Sequence, residues 1–100
     1  MICVYAHRTG SRCRLLVEGH ADFSSGDDIV CAGVSAITGA LIGFAADKSA
    51  AHHLRADVSH GRAFLSCRGG LGVAFDAAVY GLCRIAEKYP DHVRVLHNIG

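Results

Sequence analysis

His20 and Cys31 are the pair of residues whose types and spacing favour covalent chemistry, since ten residues separate a base from a thiol. Asp28 is a preferred N-cap residue, and the chain after it carries no charge and no proline until Asp47. This pattern predicts a helix with Cys31 near its third position, where unpaired N–H groups and the helix dipole favour the thiolate. An imidazole within hydrogen-bond reach would take the thiol proton and later protonate a leaving amine, as acyl transfer through cysteine requires.

The start of this helix offers two further roles. Its free N–H groups are candidates to bind the oxyanion of a tetrahedral intermediate. The Asp28 carboxylate would either cap the helix or orient His20, and the capping role alone would explain it. The alternative for the pair is structural: a small buried apolar cysteine and a histidine at a strand end, which is the commoner situation for these residue types.

The residues around the pair form a pattern, Gly19-His20-Ala21 followed at residues 26–35 by GDDIVCAGVS. It resembles the signature of the ribosomal-processing cysteine protease family, Prp, and the order of strands and helices is similar to that family over nearly the whole chain. The resemblance implies a cytoplasmic bacterial endopeptidase that removes the N-terminal extension of a large-subunit ribosomal protein precursor, the twenty-seventh in standard numbering. It also implies catalytic roles for Cys31 and His20 and supporting roles for Asp28 and Ser35.

The loop between His20 and Cys31 is one residue shorter than is usual in the family, with Ser24-Ser25 where family members carry an aromatic or acidic residue. The catalytic pair is intact, but substrate preference stays open. Because the loop is polar and contains a glycine, it would serve either as a flap over the site or as a plain connector. Phe23 would either anchor it to the core or touch substrate. The candidate flap consists of Asp22, Phe23, Ser24, Ser25, Gly26 and Asp27.

Length and composition indicate one domain, residues 1–100, with a modest core. Hydrophobic residues make up 51% of the chain and charged residues 19%, so we expect a second copy to cover part of the surface. The net charge is +1, the eight arginines are scattered along the sequence, and no aromatic residues interleave with them. We therefore expect no direct nucleic acid partner and no membrane partner. A peptide substrate is what the resemblance to the Prp family implies.

Five cysteines at irregular spacing, without a C-x-x-C pair, argue against a disulfide framework and favour a reducing compartment. The N-terminus shows no secretory signal, and the resemblance implies the cytoplasm. His52, His53 and His60, with Cys67, raise the alternative of a zinc site. Their spacing fits no closed zinc pattern, and exposed histidines around a hairpin are commoner, so we expect no metal and no other cofactor.

Residues 29–46 are uncharged and just long enough to be considered as a membrane span. Glycines, alanines and hydroxyl side chains keep the run only weakly hydrophobic, and no aromatic or basic anchors flank it. A helix buried on most sides is the preferred interpretation.

The hydrophobic patterns predict a two-layer α+β domain in the order ββαββα, with a small four-stranded sheet and two helices. The predicted strands are residues 2–7, 13–19, 54–59 and 62–67, with a short terminal strand possible at 92–96. The second helix, beginning near Leu71, ends near Tyr89 because Pro90 follows.

The first helix has two faces at helical spacing. The predicted core face consists of Val30, Val34, Ile37, Leu41 and Phe44, and the second face of Cys31, Ser35, Thr38 and Ile42. Each glycine in this helix costs about 1 kcal/mol relative to alanine. Close packing against the sheet and against a second copy would offset that cost, so we expect a homodimer through helices.

Two other functions are compatible with the sequence. One is a non-catalytic ribosome-assembly or peptide-binding module, whose effect would survive Cys31→Ala. The other is a redox-sensing protein in which the Cys31 thiol is oxidised and no peptide is cut.

Overall fold

The computed structural model describes residues 1–24, 26 and 28–99, so Ser25 and Asp27 of the candidate flap lie outside the described residues. Two hairpins each precede a helix and a last strand follows, which confirms the α+β class and the order ββαββα. The elements are β1 (Ile2–Thr9), β2 (Arg12–Gly19), α1 (Ile29–Asp47), β3 (His52–Ser59), β4 (Arg62–Arg68), α2 (Gly72–Lys88) and β5 (Val93–Ile99).

The sheet has five strands in the order β3-β4-β2-β1-β5, one more than expected. All neighbours are antiparallel except β5, which runs parallel to β1 from Ile2 opposite Val93 to Arg8 opposite Ile99. The sequence pattern gave only a weak strand signal here, because β5 is stabilised by pairing with the other end of the chain and not by a local hairpin.

Buried and exposed side chains alternate along the strands, so the sheet has one buried face and one open face. The buried face packs against both helices, so the domain has the two layers that were predicted. α2 contributes three of the most deeply buried side chains to this core. The main core residues are Val4, Leu15, Leu65, Val93, Phe75, Val79, Leu82, Val30 and Val34.

α1 begins where the sequence predicts, but its buried stripe is rotated from the predicted core face. Ile37 is only partly buried and Phe44 is 45% exposed, while Thr38 and Ala45 are buried instead. The rotation follows from the contact between the helices. A Cβ on Gly33 of α1 would lie 3.3 Å from Ile85 of α2.

Most of α1 outside that stripe faces solvent in the single chain, so the expectation of a helix buried on most sides is wrong for the monomer. α1 is long and apolar enough to cross a membrane by length and composition alone. Core helices of soluble proteins, which are mostly buried, meet the same criterion, whereas 28% of this segment is buried in the single chain. The buried stripe of α1 packs against the sheet and α2.

Candidate active site

A cavity of about 380 Å³ brings His20 and Cys31 to the same place, between the start of α1, the end of β2 and the β3–β4 turn. Ser35, one turn after Cys31 on α1, lies in the same wall. Asp28 and the described flap residues 22–24 and 26 are absent from the part of the wall that the structure describes. The other described lining residues are Ile2, Val17, Gly19, Val34, Thr38, Gly39, Val58, Ser59, His60, Gly61, Arg62 and Ala63.

The Cys31 sulfur is positioned by the helix start and by one peptide group of the preceding loop. Cys31 is the third residue of α1, as predicted, and is half-buried. The backbone N–H of Ala21 donates to its Sγ at 3.4 Å. Because an N–H donor stabilises negative charge on sulfur, this contact favours a nucleophilic thiol.

Asp28 is the N-cap of α1. Its Oδ1 accepts hydrogen bonds from the N–H groups of Val30 and Cys31, both at 3.0 Å, and its Oδ2 accepts one from Phe23 at 3.1 Å. These bonds, the one from Cys31 above all, hold the pKa of Asp28 below its ordinary value. No hydrogen bond among the described residues joins Asp28 to His20, so the structure supports the capping role.

The Asp28 cap bears on the expectation that free N–H groups at the start of α1 bind the oxyanion. Val30 and Cys31 donate to the Asp28 side chain, and Ala32 donates to the Asp28 carbonyl at 2.9 Å. Three of the N–H groups that were expected to be free, those of Val30, Cys31 and Ala32, therefore already have acceptors. The N–H of Ala21 is the donor directed at the sulfur.

The His20 imidazole lies against the β3–β4 turn. Its ring centroid is 5.0 Å from that of His60, and a Cβ on Gly61 would lie 2.9 Å from its Nε2. Gly61 has φ +75°, so both its backbone and this contact favour glycine. No hydrogen bond among the described residues joins the imidazole to the Cys31 thiol, although both groups line the cavity.

Gly19 sets the direction in which the chain leaves β2 toward this site. Its φ is +101°, and a Cβ there would collide with the carbonyl oxygen of Met1. The positive φ and the close approach of Met1 therefore both require glycine at this position.

His92 is a positioning residue that the sequence did not reveal. Its Nδ1 forms a 2.8 Å hydrogen bond with the carbonyl oxygen of Ala21, the residue whose N–H contacts the sulfur. Phe23 packs edge-on against His92 and Tyr89, with ring centroids 5.2 and 5.3 Å away. Phe23 thus anchors the loop, while a contact of its exposed part with substrate stays a prediction. His92 carries no motif and lies 71 residues from Ala21.

Three of the other cysteines, Cys13, Cys67 and Cys83, have surroundings that suppress reactivity. Burial raises the pKa of Cys13 to about 11 and also raises the pKa values of Cys67 and Cys83. All five cysteines are free. The described part of the chain contains no group of three or more His, Cys, Asp and Glu side chains that could hold a metal ion, so the zinc alternative has no site there.

Comparison with known proteins decides the family. The sequence profile of the cysteine protease Prp family matches residues 1–94. The chain belongs to this family. No curated protein matches the sequence.

Solved structures share the Prp fold with this chain at low sequence identity. The ribosomal processing protease Prp from S. aureus, in complex with a covalently linked product peptide, is similar with a TM-score of 0.86 and 21% identity, over 98% of this chain and 100% of that one. The same protease with a substrate peptide gives a TM-score of 0.77 with the same identity and coverage. The protein SMU.848 from Streptococcus mutans gives 0.72 and 22%, over 100% of this chain and 96% of that one.

Proposed function

We propose that this Prp family member is a cysteine endopeptidase with Cys31 as nucleophile and His20 as general base and acid. The observation that supports the proposal is that both side chains line one cavity, with the sulfur at a helix start and an N–H donor directed at it. Five free cysteines suit a reducing cytoplasm, which we propose as its location.

The proposed reaction has two halves. His20 takes the Cys31 proton, the sulfur attacks the peptide carbonyl carbon, and an S–C bond forms while the carbonyl electrons move to oxygen. The C–N bond then breaks, and the imidazolium gives its proton to the leaving amine. Water, deprotonated by His20, hydrolyses the thioester and releases the acid and the thiol.

The proposed reaction requires one movement and one hydrogen-bond donor. The His20 ring must turn from Gly61 toward the sulfur, since the His20 and Cys31 side chains are not hydrogen-bonded in the structure. The N–H of Ala21 is the proposed oxyanion donor, because it already contacts the sulfur and the N–H groups of Val30 and Cys31 already donate to Asp28.

The proposed substrate is the precursor of the twenty-seventh protein of the large ribosomal subunit, cut at the end of its N-terminal extension. The support is the family and the S. aureus ribosomal processing protease, whose structures contain product and substrate peptides. The cavity wall includes apolar side chains that suit an extended apolar segment. They are Ile2, Val17, Val34, Val58 and Ala63.

The test is incubation of the purified protein with the full-length ribosomal precursor, followed by mass spectrometry. The wild-type protein should release one N-terminal fragment, Cys31→Ser should release none, and His20→Ala should be slower by roughly 10²-fold or more. Matched controls are Cys3→Ser and His7→Ala, which change the same residue types on the open face of the sheet. An intact precursor with the wild-type protein, or cleavage that survives Cys31→Ser, would contradict the proposal.

The proposal includes a homodimer through α1. The outer face of this helix is apolar and exposed in the single chain, with Ile29 59% and Phe44 45% exposed beside Ala32, Ala36 and Ala40. A second copy of the same helix would cover this surface, and small residues would allow the backbones to approach closely.

A further inference from the structure

The open face of the sheet collects most of the arginines in the chain. Side chains on this face alternate with the buried ones, and the strand register aligns them in rows. Six of the eight arginines belong to the face, and all six are exposed. They are Arg12, Arg14, Arg55, Arg62, Arg68 and Arg94.

The face is strongly basic although the chain is nearly neutral. Its acidic residues are Glu18 and Asp57, so six arginines against two carboxylates give a net charge of +4, while the whole chain has +1. Within the described part of the chain, the ion pair of this face joins Arg62 Nη1 to Asp57 Oδ2 at 3.6 Å. The other five guanidinium groups are available to an anionic partner.

An apolar row crosses the middle of this basic face. The register places Phe64, Leu16, Tyr5 and Leu96 side by side on β4, β2, β1 and β5. Tyr5 is 44% and Leu96 53% exposed. These side chains line a shallow depression of about 410 Å³, which also includes Arg14. The two aromatic rings lie on strands on either side of β2. Two strand spacings of the usual size separate them by about 10 Å.

Polar groups border the apolar row on one side. His7, Asn98 and Ser66 occupy the next row of the register, together with Arg14 and Arg55. These groups can donate and accept hydrogen bonds, as recognition of a ribose 2′-hydroxyl requires.

We infer that the open face binds single-stranded RNA, with arginines on the phosphates, Tyr5 as the exposed stacking surface for a base, and the polar row at the ribose. Phe64 is half-buried, and the Arg62 guanidinium lies over its ring at 5.8 Å, so this pair forms a second flat surface beside Tyr5. A sheet with exposed aromatics and surrounding cations is a known arrangement for this ligand class. Charge complementarity favours a polyanion, and the aromatic row favours one with flat bases. The expectation of no nucleic acid partner depended on the net charge of the whole chain and on the scattering of arginines along the sequence. Strand pairing brings six of the arginines together on one face, whose own net charge is +4.

The inference does not rest on the proposed protease function. The cavity of His20 and Cys31 lies on the helix side of the sheet, and the depression lies on the opposite side. RNA bound to the open face would therefore leave the cavity accessible.

The test measures fluorescence anisotropy of a labelled uridine oligonucleotide of about twelve nucleotides at several salt concentrations. Affinity should fall with salt, and Arg14→Ala or Arg94→Ala should weaken binding several-fold and reduce the log–log slope by about 0.7 each. Tyr5→Leu, which keeps apolar area but removes the ring, should weaken binding about tenfold. The matched control is Arg84→Ala on α2, which removes the same charge from the other side of the molecule and should change little.

Several outcomes would overturn the inference. They are no binding by the wild-type protein at low salt, an equal loss with Arg84→Ala, and equal affinity for DNA of the same length. Displacement of the RNA by a glutamate-rich peptide of equal charge would assign the face to an acidic protein. A dimer in sedimentation that Tyr5→Glu dissociates would assign it to a second copy. Circular dichroism melting of each variant separates these results from loss of the fold.

Discussion

At the scale of single residues, the backbone of Ala21 connects the reactive sulfur with a distant part of the chain. The N–H of Ala21 contacts Cys31 Sγ, and the Ala21 carbonyl oxygen, which belongs to the next peptide group, is hydrogen-bonded to His92. The N–H can stabilise charge at the sulfur only while the Ala21 backbone keeps this conformation. His92 therefore acts through Ala21 and is a positioning residue for the proposed reaction.

Replacing His92 tests this role. His92→Ala should lower kcat roughly tenfold, with a smaller change in KM, because the Ala21 carbonyl loses its partner and the backbone that carries the Ala21 N–H can move relative to the sulfur. His92→Asn should recover part of the rate, since the Asn amide can occupy the position of Nδ1. Steady-state cleavage of a peptide substrate gives both constants.

His97→Ala is the control, because His97 is an exposed histidine on β5. If His92→Ala keeps the wild-type kcat while the fold is intact, other contacts hold the Ala21 backbone and the positioning role of His92 is wrong.

Local rules predict part of this site from the sequence. The cap at Asp28 and the third-position cysteine follow from residues that are close together in the chain, and the structure has both. His92 and Gly61 were missed because their contacts with Ala21 and His20 depend on the completed sheet. No spacing rule connects such positions.

At the scale of secondary structure elements, the N-cap of α1 couples helix stability to pH. The pKa of Asp28 is lower than its ordinary value of 3.8 because backbone N–H groups, that of Cys31 first, bind the carboxylate. A carboxyl whose pKa is depressed by folding stabilises the fold above its unfolded pKa. That contribution is lost as the pH falls through the folded pKa.

Asp28→Asn should therefore destabilise the protein at pH 7, and the difference from wild type should shrink as the pH approaches 3. Asp28→Ala should be less stable than Asp28→Asn, because alanine offers no acceptor to the first turn. Urea unfolding at several pH values measures these differences. Asp91→Asn removes an exposed carboxylate outside the helices and corrects for net charge. A pH-independent difference between wild type and Asp28→Asn would contradict the assignment.

The elements themselves were largely predictable, and the exceptions have physical causes. Hairpins and the α1 start are signalled locally, so their positions follow from the sequence. The rotation of α1 depends on Gly33 and Gly81, where Ile85 and Ile37 of the facing helices fit. The helical periodicity of each sequence segment alone does not predict this contact between α1 and α2.

At the scale of the whole molecule, two faces of the single chain remain uncovered: the apolar outer side of α1 and the basic open side of the sheet. They differ in charge, so they suit different partners. The first suits a second copy, as we propose for the homodimer. The sequence showed the apolar surplus but not the clustering of arginines, which arises only when alternate residues of five strands share one side.

Ala36→Lys on the outer face of α1 should dissociate the proposed homodimer, because a buried ammonium without a partner is costly in an interface. Sedimentation equilibrium at micromolar concentration measures the mass directly. Ala77→Lys places the same charge at an exposed position of α2 and should leave the mass unchanged. A wild-type protein that is monomeric throughout would contradict the homodimer.

The parallel pairing of β5 with β1 bears on how the protein is made during translation. The ribosome delivers Cys31 and its helix before residues 92–99, yet His92 and the outer strand complete the support of the Ala21 backbone. A nascent chain would thus carry an unfinished sulfur site beside an unpaired strand edge until β5 emerges. Activity should appear only after residues 92–99 have emerged, at a stage when most of the core can already form.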